Sequence, residues 1–328
     1  ALFGYIFGSR REEADNVVSQ FYAKTDDPYY SDIEQRNTND EASYEFEAKI
    51  PSSLANVTIT DETIVGYGAF SNASSIQSIT FVNNDKNEST LIKIDNYAFY
   101  NCSSLDTITI PNSVVTIGYA AFMGCDNLGS ISLPFVGQMR NNASTADITR
   151  NNETVKTGER AFFGWIFGRK VTSASLRSLD PSRLSYNIPE SLKTITITDE
   201  MVVSDEAFKD ITTIEEVILN EGLITIGEEA FMNTGILQIT IPSTVGSESN
   251  TAILTEQRNN KNYGYIGRAA FMNALSLKTV ILTPESNVYE IKDSVFENAI
   301  SLVMSELPRS VVLIGSRSFY NTISIKEF

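Results

Sequence analysis

The residues that could do chemistry here are few, and their spacing decides what they mean. Asp61-Glu62 and Asp199-Glu200 are adjacent carboxylates at matching places in two similar stretches. Such pairs can hold a hard divalent cation, but no EF-hand or nonapeptide calcium pattern surrounds either, so turn capping is the expected role. Cys102 and Cys125 could form a disulfide or offer a reactive thiol. They occupy equivalent positions where other units carry Ala, Thr or Ile, so small stacked core residues are expected instead. The chain has no histidine, which removes the usual general base and the commonest metal ligand. No Walker loop, G-x-S-x-G, C-x-x-C or strand-linked G-x-G-x-x-G is present. The expectation is a protein that is not an enzyme and needs neither metal nor cofactor. A carboxylate-dependent glycosidase is a distant alternative, since it needs two acids facing across a cleft.

Hydroxyl side chains form a more regular set. A segment L-x-x-I-x-[I/L] recurs, and its middle residue is Thr58, Thr80, Thr109, Ser132, Thr196, Ile218, Thr240, Ile281 or Glu306. Two positions earlier stand Asn56, Ser78, Thr107, Ser130, Thr194, Glu216, Gln238 and Thr279. In a strand these positions point away from the buried side. Thr58, Thr80, Thr109, Ser132, Thr196 and Thr240 would then line up as a ridge on an open sheet face. That face is the usual contact surface of curved repeat proteins, although Thr also suits any exposed strand position.

The elements that must position the ridge come from a repeat. Phe70, Phe99, Phe122, Phe208, Phe231, Phe271, Phe296 and Phe319 mark it, at spacings of 29, 23, 86, 23, 40, 25 and 23. Five residues before each Phe stands Val or Ile, and two after it stands Asn in six units, Gly124 and Asp210 in the others. Each unit reads as strand, turn, short extended piece, then one helical turn with a left-handed exit at Asn. A unit of 23 residues cannot bury its own apolar face, so units must stack with parallel strands and the Phe residues in the core. The expected strands are 54–59, 76–81, 105–110, 128–133, 192–197, 214–219, 236–241, 277–282 and 302–307. The fold class is an α/β repeat solenoid, a right-handed stack with a parallel sheet.

A longer duplication overlies the short one. A-L-F-G-Y-I-F-G at 1–8 matches A-F-F-G-W-I-F-G at 161–168, and residues 50–62 match 188–200. One continuous solenoid over 1–328 is expected, with super-repeat copies at about 1–137 and about 161–328. Insertions fall at 9–49, 138–160, 169–187 and 246–262. Loops on a rigid scaffold often carry function, so Tyr22, Tyr29 and Tyr30 in the first insertion are candidate contacts. The aromatic modules holding Tyr5, Phe7, Trp165 and Phe167 read as buried helical segments, with Trp165 in an exposed docking patch as the sharper alternative.

Composition narrows the partners. Asp plus Glu outnumber Lys plus Arg by 41 to 25, for a net charge of −16, which disfavours nucleic acid and anionic membrane surfaces. No apolar run reaches membrane-spanning length. The chain opens Ala-Leu-Phe-Gly inside a motif, so it reads as a trimmed piece of a longer protein without a visible signal peptide.

The unit from Leu105 to Cys125, L-D-T-I-T-I-P-N-S-V-V-T-I-G-Y-A-A-F-M-G-C, resembles the BspA-like leucine-rich repeats, and the likeness covers most of 50–328. The resemblance implies an extracellular or surface-anchored bacterial adhesion protein that contacts host or other-cell proteins. It carries no shared catalytic residues. Carbohydrate is a second ligand class. A structural spacer within a larger cell-wall protein is the alternative role.

Overall fold

The computed structural model describes residues 3, 17–23, 43–82, 89–140, 148–150, 153–155, 158–170, 185–248, 256–258 and 261–326. Two compact units emerge from the internal contacts. Unit 1 is Ala1–Ile131, Gly164–Ser178 and Arg183–Ser191; unit 2 is Ser132–Phe163, Leu179–Ser182 and Leu192–Phe328.

Eight of the nine expected strand segments form strands. In unit 1, Asn56–Thr60, Ser78–Val82 and Thr107–Thr109 run parallel, with Val57 beside Ile79 and Ile79 beside Ile108. In unit 2, Thr194–Ile197, Glu216–Ile218, Gln238–Ile241 and Thr279–Leu282 do the same. The inward residues are Ile and Val because β-branched side chains pack well on a pleated, half-buried surface. Ile108, Ile195, Val217 and Ile239 are all buried. The ninth segment, 302–307, is not a strand. Ser305 stands where the other units carry Ile or Val and is exposed, while Leu302 and Met304 are the residues buried instead, so the inward–outward alternation of a strand is broken. Short parallel pieces recur behind the main strands, as in Ile64–Val65, Lys93–Ile94 and Thr116–Ile117.

The Phe residues stack as columns. In unit 1 the Phe70–Phe99 and Phe99–Phe122 ring centroids are 5.5 and 5.2 Å apart. In unit 2 the column runs Phe163, Phe208, Phe231, Phe271, Phe296 and Phe319 at 5.0 to 5.5 Å. Burying each ring contributes about 1.5–3 kcal/mol before any gain from ring contact.

The segment around each Phe differs from the expected helical turn. It is a run of tight turns in which alternate amides point in different directions. The Phe70 and Asn72 amides donate to the Ala98 and Tyr100 carbonyls of the next unit, whereas the Ser71 and Ala73 amides donate three residues back to Gly68 and Phe70. The same alternation recurs at Phe99, Phe208, Phe231, Phe271 and Phe296. Two left-handed residues per unit accompany it. One is the expected Asn slot; the other lies two before the Phe, at Tyr97 (φ 57°), Glu229 (φ 55°) and Arg317 (φ 57°) among others. Holding a non-Gly residue there costs about 1–2 kcal/mol, offset by the inter-unit hydrogen bonds it permits. Helix among the described residues is all of the 3-10 type, as in Gly158–Ala161 and Phe163–Phe167.

Three insertions carry antiparallel hairpins: Val17–Ala23 with Ser43–Lys49, Ile148–Arg150 with Glu153–Val155, and Glu256–Arg258 with Lys261–Tyr263. No helix among the described residues is long and apolar enough to cross a membrane.

Candidate functional site

The outward residues of the main strands form two rows on each unit, set by the period-2 alternation of the strand. In unit 1, Thr58 lies directly beside Thr80, and the Ser78–Thr107 register brings Thr109 next to Thr80. All three are exposed. The neighbouring row is cross-linked by its own side chains: the Ser78 hydroxyl donates to Asn56 Oδ1 at 2.6 Å, and the Thr107 and Ser130 hydroxyls are 2.9 Å apart.

Unit 2 presents a different surface. Thr196 lies beside Ile218, and Thr240 lies beside Ile281. Ile218 is 46% exposed and Ile281 is 44% exposed, so the row alternates hydroxyl and aliphatic side chains in contact with water. Beside it stand Thr194, Glu216, Gln238 and Thr279, with Gln238 Nε2 donating to Glu216 Oε1 at 3.5 Å. Ser132 is half-buried on the strand Ser130–Leu133. The rows expected from sequence are thus assembled within each unit, but their make-up differs between the two.

Other candidates lie elsewhere. Tyr22 is in the strand Val17–Ala23, opposite Tyr44, where the backbone alone is described. Tyr5, Phe7, Tyr29 and Tyr30 lie outside the described residues. Trp165 is 5% exposed, which fits the buried reading of its module and overturns the alternative of an exposed contact. Its indole Nε1 donates to the Ile117 carbonyl at 3.2 Å, and its ring meets Tyr119 edge-on at 5.0 Å. The segment Phe163–Phe167 is a tight 3-10 turn that commits its aromatics to the core, and Phe167 is fully buried.

The residues that first suggested chemistry are engaged in structure. Cys102 and Cys125 are buried free thiols. Their Sγ atoms donate to the Phe70 and Phe99 carbonyls at 3.2 and 3.3 Å. Burial pushes the Cys102 pKa up to about 12 and raises that of Cys125 as well. The Glu200 carboxylate accepts the Val136 and Met201 amides at 3.2 and 3.1 Å, and Asp199 pairs with Arg140 at 2.7 Å. Glu200 therefore caps backbone, whereas Asp199 is held in an ion pair. No group of three His, Cys, Asp or Glu among the described residues could hold a metal ion. A small cleft opens beside Tyr265 and Tyr289, where the Lys292 ammonium lies 4.2 Å from the Tyr265 ring centroid. Glu290 is the one acid lining it, so it offers no carboxylate pair.

Sequence reasoning missed one set of residues. The side chain of the Asn slot forms a ladder: Asn101 Nδ2 donates to Asn72 Oδ1 at 3.0 Å in unit 1. In unit 2, Asn233, Asn273, Asn298 and Asn321 each donate to the equivalent residue before them at 2.5 to 3.0 Å. Six asparagines at one repeat position were the signal.

Comparisons with known proteins bear on the whole chain. Among solved structures, a leucine-rich repeat protein of T. pallidum is similar at 18% identity over 82% of this chain and 82% of that one, with a TM-score of 0.36. One from Bacteroides ovatus is 19% identical over 83% of this chain and 65% of that one, with a TM-score of 0.34. A leucine-rich cell surface protein from Faecalibacterium prausnitzii is 20% identical over 83% and 72%, with a TM-score of 0.26. No curated protein matches the chain. The model of the BspA type leucine rich repeat region, built of six copies, matches residues 42–143, 140–257 and 249–328. With Phe, Asn and the paired strands all recurring in register over that span, the chain belongs to the BspA-type leucine-rich repeat family.

Proposed function

We propose that the chain is a non-catalytic binding scaffold, displayed outside the cell, that contacts a host or other-cell protein through the sheet face of unit 2. The observation that supports this reading most is the Thr196–Ile218–Thr240–Ile281 row. Ile218 and Ile281 keep roughly half their surface in water, although the core already has its own aliphatic column beneath them. Aliphatic side chains flanked by hydroxyls and one carboxylate, Glu216, suit the mixed apolar centre and polar rim of a protein interface. Family membership supports display outside the cell, and leucine-rich repeat scaffolds are typically non-catalytic. The chain's net charge of −16 favours a partner with a basic surface.

The test is a surface-plasmon panel of purified host extracellular-matrix proteins and mucins against the chain and against its Ile218→Glu/Ile281→Glu variant. The expected result is one binder that the variant loses by about 30-fold or more, as for the loss of an interface anchor of ~2 kcal/mol. A panel in which every binder tolerates the double substitution would remove unit 2 as the contact face.

A further inference from the structure

The last repeats of the two units are finished differently. A terminal repeat needs a cap, because no further repeat covers its core. In unit 1 the cap is Trp165, Ile166 and Phe167. The Ala120 amide donates to the Trp165 carbonyl at 3.0 Å, and the Phe122 amide to the Ile166 carbonyl at 2.8 Å. The Trp165 indole reaches the Ile117 carbonyl, and Phe167 follows Phe122 in the ring column at 6.3 Å. Under this cover Ile117 and Phe122 are fully buried.

The last repeat of unit 2 has the same parts without such a cover among the described residues. Ile314 stands where Ile117 does, five before the ring, and is 57% exposed, against 0% for Ile117, Ile226 and Ile291. Val312 and Leu313 beside it are exposed too, as is Tyr320. The Arg317 amide, the counterpart of the Ala120 amide, donates to no carbonyl among the described residues. The strand Leu313–Ile314 pairs on one side, with Glu290–Ile291, and its other edge is open among the described residues. An open strand edge beside exposed aliphatic surface invites another chain.

The sequence carries a segment that fits this end. A-F-F-G-W-I-F-G at 161–168, which holds the unit 1 cap, is matched by A-L-F-G-Y-I-F-G at 1–8. The first shared Phe does the same work in both. Phe163 opens the unit 2 column on Phe208 at 5.2 Å, with its amide on the Ala207 carbonyl at 2.8 Å. Phe3 opens the unit 1 column on Phe70 at 4.7 Å, with its amide on the Ala69 carbonyl at 2.8 Å. The next residues of the later segment, Trp165, Ile166 and Phe167, close a column. At the matching places the earlier segment has Tyr5, Ile6 and Phe7, which exchange one large ring for another and keep Ile and Phe.

We propose that the last repeat of unit 2 binds a second copy of this chain head to tail, with Tyr5, Ile6 and Phe7 of that copy covering Ile314 and Phe319 as Trp165, Ile166 and Phe167 cover Ile117 and Phe122. The Arg317 amide then donates to the Tyr5 carbonyl of the second copy. The two contacting surfaces are different, so the contact propagates into linear assemblies. It uses neither sheet face and is independent of the protein-binding reading.

The experiment is sedimentation velocity of the full chain at rising concentration. The weight-average sedimentation coefficient climbs with concentration. Ile314→Asp places a charge on the receiving end and Ile6→Asp places one on the covering segment, so each variant alone sediments as a monomer. An equimolar mixture of the two associates again and stops at dimers, because the Ile314→Asp copy keeps an intact covering segment and the Ile6→Asp copy an intact end. Ile314 is exposed, so Ile314→Asp keeps the wild-type melting temperature; Tyr5→Glu replaces Ile6→Asp should that variant melt lower. The Ile218→Glu/Ile281→Glu variant associates as the wild type does. A wild-type chain that stays monomeric, a folded mixture that stays monomeric, or association that survives Ile6→Asp or Ile314→Asp would each overturn the proposal.

Discussion

Replacing Phe231 by alanine removes the ring from the middle of the unit 2 column. Phe231 is fully buried and lies between Phe208, at 5.0 Å and 6° between planes, and Phe271, at 5.3 Å and 2°. The loss has two parts: the transfer energy of the ring together with the cavity it leaves, and two ring contacts. A buried Phe→Ala change costs about 3–5 kcal/mol, and each ring pair accounts for about 0.5–1.5 kcal/mol beyond area. Neighbouring units cannot collapse into the gap, because their backbones are tied by the Phe208-to-Ala230 and Phe231-to-Ala270 hydrogen bonds, both 2.8 Å. The upper part of that range, roughly 4–5 kcal/mol, is therefore expected. Phe319 provides the internal control. It is half-buried where Phe231 is fully buried, so Phe319→Ala costs about 1–2 kcal/mol. Urea denaturation followed by far-UV circular dichroism measures both. Equal losses for the two variants, or a loss below about 1.5 kcal/mol for Phe231→Ala, would refute a column whose strength comes from full burial of its inner rings.

Two further predictions follow from close packing and burial. A Cβ on Gly118 would sit 2.3 Å from the Asn96 amide nitrogen, whereas one on Gly66, at the same repeat position, meets nothing within 4 Å. Gly118→Ala should lower the melting temperature by several degrees, for a cost of roughly 2 kcal/mol, and Gly66→Ala should leave it unchanged or raise it. The Cys102 pKa is raised in the folded chain from an ordinary value of 9.0 to about 12. The unfolded thiol therefore loses its proton first as pH rises, so this stabilisation is present below pH 9 and is lost between pH 9 and about 12. Cys102→Ala should flatten the alkaline arm of the stability curve, and a thiol reagent at pH 8 should react only after urea is added.

Much of the fold is legible because a single spacing repeats. The recurring 23 residues between Phe99 and Phe122, Phe208 and Phe231, and Phe296 and Phe319 require stacking, and the strands follow from the Ile and Val that alternate with Thr. What the residues do not declare is the second left-handed position. Tyr97, Glu229 and Arg317 are not types that prefer positive φ; the inter-unit hydrogen bonds impose it. Pattern alone makes 302–307 a strand, because Leu302 and Leu307 fit the template, but Ser305 leaves the inward slot empty of apolar surface. The candidate face was readable as a row and not as two surfaces. Whether Ile218 and Ile281 are exposed depends on what packs over them, which spacing cannot reveal. The Trp165 module read as a buried segment from its aromatic content, with an exposed patch as the alternative, but the partner that its indole finds, the Ile117 carbonyl, comes only from tertiary packing.

Hydrogen exchange resolved at single amides tests the stacking of units most directly. The amides of Phe70, Phe208, Phe231, Phe271 and Phe296 lie in turns, where exchange is ordinarily fast, but each donates to a carbonyl of the adjoining unit at 2.7 to 2.9 Å. The account predicts that they exchange as slowly as the strand amides of Ile195 and Ile239. Turn-like exchange at these five positions, with only the strand amides protected, would contradict it.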